Sequence, residues 1–342
     1  MIWLSWRQSR TQLLAVFGLL AAACGWLAVT GPRLARLAHH NSDVYDLLSR
    51  NDRLLFNGGL AVLAAAPALL GIFWGGPLVA RELETGTFRL AWNQSVTRGR
   101  WLACKLGFSV LVVMVAVGLL SLAITWWAHP IDGAMSSTHG SLPARLSPIS
   151  FAMRGVVPVA YAVFALVLAT FIGLVLRRPL PAMALTLAIY VFVQVAVPLW
   201  VRPHLVPATT VTTVISAPLD AAGADDSGAI TISTQVSPGA WVLTNQTVDA
   251  HGRPAALPDW FGDCLPTPPG ASSPTSKQTG AESSATLDAC LTRLNDSGYR
   301  QHLVYQPKSH FWPLQWAETG LYLLASALIA VASFWWTRRK LA

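Results

Sequence analysis

Near-continuous apolar stretches cover residues 13–30, 58–80, 101–127, 151–176, a fifth block ending near Trp200, and 313–337. Each approaches or exceeds the roughly 18–20 residues a helix needs to cross a hydrocarbon layer, so the pattern predicts six transmembrane helices. Residues 1–10 put Trp3, Trp6, Arg7 and Arg10 on roughly one side of a helix, which reads as a short interfacial helix feeding the first span. The alternative is a signal peptide, with Ala21-Ala22-Ala23-Cys24 as a faint lipoprotein box; the apolar run continues past it through Trp26, Leu27 and Val29. Residues 32–57 are polar but keep Leu34, Leu37, Val44, Leu47 and Leu48 at broadly helical spacing, so the flanking helices extend beyond the bilayer.

In the second span Gly71 and Gly75 form a small-xxx-small pair suited to close helix packing, and Pro67 marks a kink, with a hinge as the alternative. The turn Arg177-Arg178-Pro179-Leu180-Pro181 is so short that the fifth span must run antiparallel beside the fourth. The last span opens on Phe311, Trp312 and Trp316 and closes on Trp335-Trp336 before Arg338-Arg339-Lys340, an aromatic belt at each end and a basic stop.

Two segments break the apolar pattern. The first is residues 81–105, RELETGTFRLAWNQSVTRGRWLACK, a charged elbow between the second and third spans. Thr97 is placed to cap a helix restarting at Arg98, accepting the N2 or N3 amide, with Val96 and Trp101 as a hydrophobic staple. The second is residues 202–312, where TTVTTVIS and AITISTQV are β-rich, Pro and Gly punctuate, and no long apolar run remains. Residues 285–295 there read as an amphipathic helix stopped by Gly298. This segment is a soluble α+β domain inserted between helices 5 and 6, carrying nine acidic residues against six basic ones.

Composition supports the class: the 342 residues are 53% hydrophobic and 12% charged, about half the charge of a soluble globule, with 15 Trp. The net charge of +8 reflects membrane orientation rather than nucleic acid, because twelve of the 24 basic residues sit in short segments on one predicted side. That side is the cytoplasm, with both termini; residues 202–312 are extracytoplasmic. Cys24 and Cys104 lie in or beside apolar runs, whereas Cys264 and Cys290 lie in the polar domain and are expected to form a disulfide in an oxidising compartment.

Recognisable catalysis is absent. There is no G-x-x-x-x-G-K-[ST], C-x-x-C, H-E-x-x-H or G-x-S-x-G, so no ATP site of that kind, no catalytic residue and no cofactor is assigned. His39 and His40 are adjacent and face different ways on a helix, so no metal site is assigned either. Glu318, one turn into the last span, and Gln194 in the outer half of the fifth are candidates for a translocation path. For Glu318 the alternatives are hydration at the interface or pairing with Arg154 or Arg202.

The 81–105 stretch resembles the signature between the second and third spans of ABC-type export permeases of the six-span type-2 (type V) class, carried here by Arg81-Glu82, Gly86-Thr87, residues 88–92, Ser95 to Arg98, and Lys105. The closing YQPKSHFWPLQWAETG resembles an actinobacterial branch of that family. The resemblance implies a permease in the cell membrane, without its own nucleotide-binding domain, paired as a homodimer or heterodimer and driven by a separate ABC ATPase that binds ATP and Mg. It further implies that the short helix around Thr87 to Trp92 docks into that ATPase, making Glu82, Glu84, Gly86, Thr87, Phe88, Arg89 and Trp92 the coupling residues. The inserted 110-residue segment departs from the small hairpin usual in the class. The expected activity is export of an amphipathic or hydrophobic cargo. The rival readings are a membrane-anchored sensor or binding protein acting through the inserted domain, and a membrane enzyme with an unrecognised site.

Overall fold

The computed structural model describes residues 2–40, 50–87, 97–135, 145–216, 219–224, 230–234, 239–264 and 280–340. The chain forms two compact units, Met1–Val206 with Ser309–Ala342, and Pro207–Lys308.

The first unit is helical: α1 Ile2–His40, α2 Arg50–Thr85, α3 Arg98–Met135, α4 Pro148–Met153, α5 Val157–Leu176, α6 Pro179–Ala196, a π-helical turn Val197–Val201, α7 Arg202–Leu205, and α9 Phe311–Lys340 after the second unit. Among the described residues six helical stretches are long and apolar enough to cross a membrane: Leu13–Pro32, Ala64–Thr85, Arg98–Trp127, Val157–Leu176, Pro179–Leu205 and Lys308–Lys340. α1 runs through residues 2–10 without a break and on into the first span. It also carries Pro32 within it, as α2 carries Pro67 and Pro77.

α5 is the centre. It is apolar all round and buried along nearly its whole length, packed by α2, α3, α6 and α9. Its seam with α2 depends on glycine: a Cβ on Gly71 would come within 2.6 Å of Ala165 Cβ, and one on Gly75 within 2.5 Å of Leu166 O. The small-xxx-small pair is therefore a packing contact, and Thr170 Oγ1, bonded to Leu166 O at 2.8 Å, lies 3.5 Å from Gly75 O. Leu13, Trp74, Val113, Val117, Ala162 and Leu166 form a core shared by α1, α2, α3 and α5, and Trp74 Nε1 donates to Ser109 Oγ at 3.1 Å within it.

The stretch expected as one fourth span, residues 151–176, is two helices. α4 ends at Met153, the chain bends through Arg154 and Gly155, the latter at φ +77°, and α5 begins at Val157 with Pro158 in its first turn. At its other end Arg177 adopts a left-handed cap, φ +55°, and its N–H bonds Gly173 O at 3.0 Å. α6 then returns beside α5, as the short turn requires.

The second unit holds an antiparallel sheet in the order β1-β5-β4, from Thr209–Thr213, Arg300–Gln306 and Trp241–Val248, and a hairpin of β2 Leu219–Ala224 with β3 Ile230–Thr234. Leu303 of β5 pairs Val211 on one side and Asn245 on the other. Helix α8, Gly280–Asp296, is closed by Gly298 at φ +89°. Its Leu291 and Leu294 pack with Ile215, Ile232, Leu257 and Phe261. The Asn295 carboxamide bonds both backbone groups of Ile215, at 2.9 and 2.7 Å, tying the end of the β1 segment to the helix. Cys264 and Cys290 form the expected disulfide; with a sequence separation of 26, chain entropy makes it worth about 3–4 kcal/mol.

Candidate functional site

Two polar sites occupy opposite ends of the helical unit, and the first is the elbow. Arg81, Glu82, Leu83 and Glu84 favour helix, and α2 continues through them to Thr85 before Gly86, at φ +71°, ends it. The Thr85 hydroxyl bonds Arg81 O at 2.9 Å and lies 3.1 Å from that of Thr87. On the far side Trp101 N bonds Thr97 O at 3.0 Å and Arg100 N reaches Thr97 Oγ1 at 3.4 Å, the cap read from the sequence. Residues 81–85 and 98–105 of the stretch are thus the ends of two helices. Val96 of the expected staple lies outside the described residues.

Across that turn Glu82 and Lys105 form a salt bridge, their side chains only 15% and 12% exposed. Lys105 Nζ also sits 5.2 Å from the centroid of Trp101. Trp101 is buried in a cluster with Val79, Leu83, Leu102 and Leu174, against which Phe334 and Trp336 pack. Removing the Glu82 carboxylate from so enclosed a pair would leave the Lys105 ammonium buried at a cost of about 3 kcal/mol. No local pattern signals that Glu82 pairs with Lys105 across the turn. Its carboxylate is turned inward, while Arg81, Glu84, Thr87 and Arg100 are exposed and Gly86 makes the turn. Phe88, Arg89 and Trp92 lie outside the described residues.

The second site gathers around Glu318 at the start of α9. Arg202 grips it in a bidentate pair, Nε to Oε2 at 2.7 Å and Nη2 to Oε1 at 3.0 Å, with both side chains wholly buried. The Tyr161 hydroxyl donates to Glu318 Oε1 and accepts from Arg202 Nη2 at 3.3 Å, while Phe151 stacks 4.3 Å from the guanidinium. Of the two expected partners, Arg202 is the one that binds Glu318, and the carboxylate is paired rather than hydrated. The Tyr161 ring meets Tyr322 edge-on at 4.7 Å. The Tyr322 hydroxyl donates to Gln194 Oε1 at 3.1 Å, and Gln194 Nε2 to Tyr190 OH at 2.5 Å. Glu318 and Gln194, read separately in the sequence, are thereby members of one buried cluster.

One turn earlier on α9, Gln315 fills the break between α4 and α5. Its Oε1 accepts from Val156 N and Val157 N at 3.0 Å each, and its Nε2 donates to Arg154 O at 3.0 Å and Phe151 O at 3.3 Å. A Cβ at Gly155 would meet that amide at 2.6 Å. Sequence reasoning missed Gln315 and Tyr161. The available signal was a Gln and a Glu three apart in an otherwise apolar helix, and a Gly and a Pro close together at residues 155 and 158.

Among the described residues no group of three or more His, Cys, Asp or Glu could hold a metal ion. Both sites join helices: the elbow site ties α2, α3, α5 and α9, and the second site ties α5, α6, α7 and α9. A family model described as ABC-2 membrane transporter related matches residues 17–202. No curated protein and no solved structure matches the chain.

Proposed function

The chain belongs to the ABC-2 membrane transporter related family, and from that premise we propose that it is the permease subunit of an ABC exporter, moving an amphipathic or hydrophobic cargo out of the cell on ATP hydrolysed by a separate subunit. It is a transport subunit rather than an enzyme. ATP and Mg belong to the ATPase, and two permeases, alike or different, share the transport pathway.

In this reading both termini and the elbow are cytoplasmic and residues 202–312 are extracytoplasmic. The clustering of basic residues beside the elbow, at Arg177-Arg178 and at Arg338 to Lys340 supports that orientation, as does a disulfide in the second unit. The elbow is the ATPase dock: Glu84 and Thr87 face outward beside the turn at Gly86, and Phe88, Arg89 and Trp92 come next in the chain. Glu82 serves from within, holding the dock to Lys105.

The observation that carries the proposal is this enclosed Glu82–Lys105 bridge against Trp101. It makes the ends of α2 and α3 one piece, seated against α5 and α9, so that a push on the turn moves helices rather than bending a loop. The test is Glu84→Ala with Phe88→Ala. The double variant is expected to keep the helical unit folded yet lose the ATPase during purification from native membranes, or lose its stimulation of ATP hydrolysis. Undiminished co-purification together with undiminished stimulation would refute the docking role.

A further inference from the structure

At Val197–Val201 the backbone of α6 leaves the α path for a π-helical turn, closed by the Arg202 N–H bonding Val197 O five residues back. Two prolines explain it. Pro198 has no N–H to give, and in an α turn the ring of Pro203 would strike the carbonyl of Leu199 four residues back; the wider turn relieves that clash. A π turn holds one residue more than an α turn, so the chain beyond it is rotated by about 100° from the α register. Arg202 is the first residue past the turn. The rotation is what lays its guanidinium, wholly buried, on Glu318, Tyr161 and Phe151.

We propose that this turn and the ion pair form a latch for transport: rewinding of Val197–Val201 to the α register, driven by the ATP cycle against the Pro203 clash, withdraws Arg202 from Glu318, freeing the end of α6 and α7 from α9. The inference rests on the permease reading, and Arg202 and Glu318 act in it as positioning residues. Three observations carry it. A buried ion pair adds little net stability over an apolar filling, while parting it leaves two charges enclosed, so the paired arrangement has to be displaced as a unit by the transport cycle. One face of α6 also meets little protein: Ala182, Thr186 and Tyr190 are buried, whereas Leu185, Val191, Phe192, Val195, Leu199 and Trp200 face outward, so turning its end displaces few protein neighbours. Finally, Arg202 and Glu318 lie on the two segments by which the chain leaves the helical unit at Val206 and re-enters it at Ser309, the places where such a release is least restrained by covalent continuity along one helix.

Thr319 reports on the latch. It adjoins Glu318, is 8% exposed, and its buried hydroxyl has no hydrogen-bond partner among the described residues, so Thr319→Cys is a mild change. With Cys24 and Cys104 replaced by Ser, the permease–ATPase complex in lipid nanodiscs, where both faces are open, is treated with a membrane-impermeant maleimide, with and without ATP and vanadate. Labelling of Cys at this position is expected to be slow at rest and about tenfold faster in the trapped state. Deleting Leu199 together with Pro203→Ala converts the π turn to an α turn while leaving Arg202 aimed at Glu318; labelling should then stay slow in both states, with assembly and melting temperature retained. Glu318→Gln should label fast in both. Should the deletion fail to fold, Pro203→Ala supplies the converse: relief of the clash raises resting labelling, with no further rise on adding Glu318→Gln. Equal labelling of the parent at rest and in the trapped state, or a deletion variant that responds as the parent does, overturns the latch. An ATPase that never co-purifies overturns the permease reading, and the latch with it.

Discussion

Gln315 closes the amino end of α5 from another helix: its side-chain oxygen takes the Val157 N–H at 3.0 Å, and the same amide satisfies three more backbone groups around Gly155. A wholly buried side chain with all its hydrogen bonds made is hard to replace. Gln315→Ala leaves two amide hydrogens without an acceptor and should cost about 2–4 kcal/mol, read as a lower melting temperature in detergent. Gln315→Leu, which refills the volume, should do no better, since the loss is of acceptors rather than packing.

The α2–α5 seam makes a second prediction, with its own control. Gly75→Ala drives a methyl against Leu166 O and should destabilise by about 1–3 kcal/mol. Gly18→Ala, on a part of α1 where no atom lies within 4 Å, should be neutral or gain up to about 1 kcal/mol of helix propensity. Equal melting temperatures for the two variants would mean that the seam is looser than its geometry.

For the elbow, a double-mutant cycle separates pairing from packing. Glu82→Gln alone should cost about 3 kcal/mol, because the Lys105 charge is left enclosed, and Lys105→Met should also destabilise. The double variant should recover much of that, and strictly additive losses would show that the two side chains do not depend on each other.

The second unit has an acid-sensitive turn. Asp249 accepts from Arg253 N at 2.9 Å and His251 N at 2.8 Å and pairs with the Arg253 side chain, so its carboxyl is held below the usual range. A depressed folded value means the contribution is complete above the unfolded value, about pH 4, and is lost as pH falls through the folded one. The amide hydrogens of His251 and Arg253 should therefore stay protected at neutral pH and lose that protection in acid, while Asp249→Asn removes the pH dependence.

Much of the helical unit is legible because lipid leaves few choices: long apolar runs, flanking tryptophans and basic stops mark spans without reference to partners. Gly71 and Gly75 are readable for the same reason, since only close packing explains small residues at that spacing. Cys264 and Cys290 are readable from their polar surroundings. Contacts between residues far apart in sequence are not. Nothing local tells Gln315 that its partners are at 151–157, or Glu82 that Lys105 lies across the turn. The end of α2 lies past the expected limit because charge does not stop a helix: Arg81, Glu82 and Glu84 suit one that projects beyond its apolar part. The split between α4 and α5 is hidden by apolar residues on both sides of Arg154 and Gly155.

The enclosure of α5 sets it apart from its neighbours in one further respect. With protein on almost every side, it has little surface for acyl chains to touch, so changes in bilayer thickness or lipid species reach it only through α2, α3, α6 and α9. Outer helices can tilt or shift to suit a new membrane while this one keeps its place, an axle whose bearings are other helices.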